Sequence, residues 1–97
     1  MDSVVVAQTY ARLKFERPDL IDAMTKSIDT YVAPLTEVNS VQAGADLLDA
    51  HPDFCKFCLA AAGRVFGIVL GKHLRASNEW ELAQDLGADG KVYRRIP

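Results

Sequence analysis

Residues 76–97 read ASNEWELAQDLGADGKVYRRIP, and Gly87 and Gly90 divide them. Ahead of Gly87, Ser77 or Asn78 can cap a short fifth helix. An Asn78 cap sets Glu81 three residues on, the spacing of a capping box. Leu82 and Leu86 then share a face, Trp80 stands off it, and Gly87 fits the left-handed residue beyond a helix C-terminus. "ADG" turns the chain, and "KVYRRIP" reads as extended. Val92, Arg94 and Ile96 lie on one side of it, Lys91, Tyr93 and Arg95 on the other. No partner strand is evident, so this segment is expected as a tail, 91–97, on a helical body, 1–90. The Val92 and Ile96 side should pack on apolar surface, with Arg94 and Arg95 facing Asp22, Asp29, Asp46 and Asp49.

Immediately upstream stands "GRVFGIVLG", residues 63–71. Its β-branched residues would suit a buried strand. With no second strand to pair, it is read instead as part of a long apolar helix over about residues 53–74. That helix carries Gly63, Gly67 and Gly71 on one stripe with Ala60, Lys56, Arg64 and Arg75. Each glycine costs roughly 1 kcal/mol relative to alanine inside a helix. The stripe serves either close packing against a neighbouring helix or reception of a partner. Three cations along it sit poorly with burial, since an unpaired buried charge is expensive. The partner-binding set is therefore Lys56, Ala60, Gly63, Arg64, Gly67, Gly71 and Arg75, with Trp80 as an aromatic anchor and Val92, Tyr93, Arg94, Arg95 and Ile96 as tail contacts.

Toward the N-terminus three more helices are expected. The first spans Val4 to Glu16, with Val6, Tyr10 and Leu13 on one face. The second follows Pro18, a residue suited to a first helical turn, and aligns Leu20, Ile21, Met24, Ile28, Tyr31 and Val32. After the loop "PLTEVNS", Ser40 caps a third helix with Val41, Ala45 and Leu48 inward. The expected fold is an all-α bundle of four to five helices in a single domain, 1–97.

With 97 residues, 49% hydrophobic and 25% charged, the chain has the composition of one ordinary globular domain. Residues 1–53 carry nine acids and four bases, net −5, and residues 54–97 carry four acids and seven bases, net +3. The halves either neutralise each other or offer a basic patch to an acidic partner. The first residues lack the form of a signal peptide, and no apolar run approaches the roughly 20 residues of a membrane span. An intracellular, cytoplasmic setting is expected.

"HPDFCKFC" places Cys55 and Cys58 at a metal or redox spacing. A structural zinc needs four ligands, and the second pair is missing; a redox motif should follow a strand. Core cysteines are the favoured reading. No phosphate loop, carboxylate dyad or nucleophile triad is legible, so neither a cofactor nor catalysis is expected. The leading function is a non-enzymatic interaction module, self-associating as a homodimer. A nucleic-acid binder using Lys56, Arg64, Lys72, Arg75 and the tail cations Lys91, Arg94 and Arg95 is the alternative. A small metal or redox protein built on Cys55 and Cys58 is the third.

Overall fold

A computed structural model describes residues 3–54 and 62–97. Among them are four helices: α1 (Ser3–Glu16), α2 (Pro18–Val32), α3 (Ser40–Ala50) and α4 (Ala62–Ala76). They pack with three strands, β1 (Glu37–Asn39), β2 (Trp80–Asp85) and β3 (Lys91–Arg95). The strands form an antiparallel sheet in the order β1-β3-β2. The fold is mixed α and β, and the all-α expectation is overturned by this sheet.

The tail is the reason. Extended as expected, it finds a partner on each side and becomes the central strand. Glu37, Val38 and Asn39 oppose Arg94, Tyr93 and Val92, so part of the expected "PLTEVNS" loop is strand. On the other side Trp80 opposes Arg95, Leu82 opposes Tyr93 and Gln84 opposes Val92, with Ala83 left over as a bulge. The fifth helix does not exist, despite its helix-forming Glu, Leu, Ala and Gln residues. Cross-strand pairing with β3 overrides that weak local preference. The expected cap residues make a turn instead. Asn78 adopts φ 62°, a left-handed conformation that Asn tolerates and an N-cap does not use. Ser77 Oγ donates to the Leu74 carbonyl at 2.7 Å and accepts the Glu79 N–H at 3.2 Å, leading α4 into β2. Gly90 has φ 102°, and a Cβ there would come within 2.7 Å of Asn39 Oδ1. Only glycine closes this hairpin.

Residues opposed across an antiparallel ladder share a face, so Tyr93 and Arg95 stand with Val38, Leu82 and Trp80. That face meets the helices: Tyr93, Val38 and Trp80 join the core formed by Val65, Phe66, Val69, Leu70 and Leu74 of α4. The tail side that packs on the helices is thus the Tyr93 side; Val92 is also buried, whereas Ile96 is exposed.

α2 buries Met24, Ile28 and Val32, one per turn, with Leu20, Ile21 and Tyr31 packed partly against them. α1 contributes Val6 and Leu13 and leaves Phe15 exposed. α3 is rotated from its expected orientation. Ala43, Gly44 and Leu47 are buried, while Val41 and Ala45 are exposed and Leu48 is half-buried. Its cap is Asn39, whose Oδ1 accepts the N–H groups of Val41 at 2.9 Å and Gln42 at 3.2 Å. Ser40 Oγ instead accepts the Lys91 N–H at 2.9 Å and joins the start of α3 to β3. The expected helix over 53–74 stands from residue 62 onward, departs at its start, and between 55 and 61 lies outside the described residues. Pro52–Phe54 is a single 3-10 turn, and helix is described from Ala62 to Ala76.

Candidate functional site

The glycine stripe of α4 lies where α3 and β3 approach. Gly44 of α3 crosses Gly63 so closely that a Cβ on Gly44 would collide with the Gly63 carbonyl oxygen. Four residues on, a Cβ on Gly67 would stand 3.3 Å from the Ser40 carbonyl oxygen. One turn further, a Cβ on Gly71 would stand 2.6 Å from the Tyr93 hydroxyl oxygen. The three glycines thus let α3 and a sheet tyrosine press against the α4 backbone.

That contact is incomplete, and a groove of about 650 Å³ runs beside it. Its floor includes Gly63, Gly67 and Gly71; Val41, Ala45 and Leu48 form the α3 wall, and Gly90, Lys91 and Tyr93 the sheet end. Among the described residues, Arg64, Arg75 and Lys91 are its charged members, and no Asp or Glu lines it. None of these three cations forms an ion pair among the described residues. Arg75 is oriented within the helix, its Nε donating to the Gly71 carbonyl at 3.1 Å.

Tyr93 is 1% exposed. Among the described residues no side-chain oxygen or nitrogen is both sealed from solvent and unpartnered. The Tyr93 hydroxyl bonds to none of them, so it opens on the groove that Tyr93 lines. Burial pushes this phenol above its ordinary value of 10.0, the Arg75 charge pulls it back, and Asp85 pushes it up again. It stays protonated at neutral pH and is available as a donor.

The other expected site residues separate. Gly63, Arg64, Gly67, Gly71 and Arg75 come together with Tyr93 at the groove. Trp80 is buried under the Arg95 guanidinium, 4.4 Å above its ring centre. Arg95 Nη2 also donates to the Val32 and Ala33 carbonyls at 2.9 and 3.4 Å, and Nε to the Leu35 carbonyl at 3.0 Å. This guanidinium closes the C-terminus of α2, where unpaired carbonyls and the helix dipole favour a cation. Arg94 pairs with Glu37 at 3.1 Å. Neither tail arginine therefore bonds to Asp22, Asp29, Asp46 or Asp49. Asp29 bonds His73 at 2.6 Å, and Asp46 accepts from Tyr31 Oη at 2.7 Å and Gln42 Nε2 at 2.9 Å. Lys72 lies over the Tyr10 ring of α1. Lys56, Ala60, Cys55 and Cys58 fall outside the described residues.

Sequence reasoning missed the α3 wall, and it named Tyr93 as a tail contact without placing its hydroxyl in the groove. The signal for the first was Gly44, a fourth glycine, which matches the stripe on α4 only once the two helices are known to cross. No local signal exists for the second, because the position of Tyr93 depends on sheet register. Among the described residues, no three His, Cys, Asp or Glu side chains come together as a metal site. No described helix is long and apolar enough to cross a membrane.

No protein-family model matches the chain, and neither a curated protein nor a solved structure matches it.

Proposed function

We propose that this chain is a small, non-enzymatic accessory or regulatory protein of the cytoplasm that acts by protein–protein association, with a second copy of itself as the partner. The observation that carries this reading is the groove beside the glycine stripe: three cations that form no ion pair, and no carboxylate, among the described residues. Charge supplies the occupant. Residues 1–53 hold net −5 and residues 54–97 net +3, and Asp22 on α2 and Asp49 on α3 are exposed. An acidic face of one copy against the basic groove of another satisfies both. Nucleic-acid binding draws less support from the same cations. Arg94 and Arg95 are engaged within the chain, and Lys72 lies against α1 rather than in the groove.

Dilution of isotope-labelled protein, followed by amide chemical shifts, tests the surface. Concentration-dependent shifts are expected at Gly63, Gly67, Gly71 and Lys91, with a second set around Asp22 or Asp49. Shifts confined to other surfaces, or none, would contradict it.

A further inference from the structure

We propose that Arg75 and the Tyr93 hydroxyl form a carboxylate subsite at the sheet end of the groove, which receives an Asp or Glu side chain of the docked protein segment. This rests on the partner reading above and names the chemistry it uses.

The two groups converge on Gly71. A Cβ placed there would stand 2.6 Å from Tyr93 Oη and 3.7 Å from Arg75 Nη2, so glycine lets the phenol come down on the helix backbone beside the cation. Both groups are held. Tyr93 is 1% exposed and stands in register between Val38 and Leu82 on the central strand. The guanidinium is tethered by its Nε bond to the Gly71 carbonyl, which leaves its terminal N–H groups for a ligand. The Tyr93 hydroxyl has no partner within the described chain and opens on the groove, so its donor is free for a ligand. One phenol donor and one guanidinium match the two oxygens of a carboxylate. Among the described residues no acid lines the groove to occupy them; Asp85, the carboxylate that influences Tyr93, accepts the Gly87 N–H at 2.9 Å and does not line it. Lys91 adds positive potential at the same end. Arg64 stands eleven residues up α4, about 16 Å away at 1.5 Å per residue, so one carboxylate cannot serve both arginines.

The test uses two blocked five-residue peptides, one with glutamate between alanines and one with glutamine, titrated into the full chain. Arg75 side-chain N–H and Tyr93 ring resonances are followed. The glutamate peptide is expected to shift both saturably and to bind about tenfold tighter than the glutamine peptide, the scale of one charge-assisted contact. Y93F removes only the unbonded oxygen, and R75K keeps the charge while losing the fork. Each should weaken the glutamate peptide several-fold and leave the glutamine peptide unchanged, with an unaltered circular dichroism spectrum. Equal binding of the two peptides, no saturable shift with either, or indifference to both variants would overturn the subsite. A monomeric chain that still prefers the glutamate peptide would refute self-association alone. A dimer that ignores it would refute the subsite alone.

Discussion

Gly71 on α4 lies directly beneath the hydroxyl of Tyr93, so close that an added Cβ would stand 2.6 Å from the phenol oxygen. Helix and central strand meet at that point, where the Tyr93 side chain is 1% exposed. Alanine should gain roughly 1 kcal/mol of helix propensity and lose about 1–3 kcal/mol to overpacking. G71A is therefore expected to destabilise the protein by about 1 kcal/mol. In a Y93F background the nearest ring atom is Cζ, at 3.5 Å from the added Cβ, an ordinary contact. There G71A should become neutral or stabilising. Urea unfolding of the four proteins measures this coupling, and additive effects would show that the hydroxyl is not what confines Gly71.

Arg95 joins three elements: its guanidinium bonds the carbonyls at the end of α2 and covers Trp80, while its backbone N–H donates to the Thr36 carbonyl at 2.8 Å. Side-chain bonds from a charged donor contribute about 1.5–3 kcal/mol in total at such sites. R95A should lower stability by about 2 kcal/mol, which moves a domain of this size by roughly 8–16 °C. R95K should recover little, because an ammonium lacks the planar fork. Full rescue by lysine in thermal unfolding would mean that charge alone matters there.

The Tyr31–Asp46 bond makes stability depend on pH at both extremes. The Tyr31 hydroxyl, with help from Gln42, holds the Asp46 carboxyl below its ordinary value of 3.8. A carboxyl depressed in the folded state contributes stability above its unfolded value and loses it as pH falls through the folded one. Burial, then the Asp46 bond and charge, push Tyr31 from 10.0 to about 12. The neutral phenol is favoured in the folded state, so that contribution is intact below pH 10.0 and fades as pH rises toward about 12. Y31F should flatten both limbs of the melting temperature against pH and leave other titrations in place. Parallel curves for the two proteins would remove this pair from the pH response.

The helical part of the fold was legible where burial follows one stripe. In α2, Met24, Ile28 and Val32 recur every fourth residue and no other element competes for them. In α3 the apolar residues are small and spread around the helix, so the stripe could be drawn through Val41, Ala45 and Leu48 or through Ala43, Gly44 and Leu47. Only the crossing with Gly63 selects the second. β2 was illegible for a stronger reason. Its residues favour helix locally, and what makes them a strand is Tyr93 and Arg95, more than ten positions away. The three-residue β1 is too short to show a period. As for the groove, the glycine and arginine stripe was readable from helical spacing alone, but Tyr93 enters it through sheet register.

Self-association through the groove is tested most directly by size-exclusion chromatography with light scattering, over a rising concentration series at low and high salt. At low salt the mass should climb from the 10.7 kDa of one chain toward twice that value. High salt should reverse it, since exposed charges are screened beyond roughly 3 Å at 1 M, and R64E combined with R75E should abolish it. A constant 10.7 kDa at every concentration in low salt, or a dimer untouched by R64E and R75E, would contradict it.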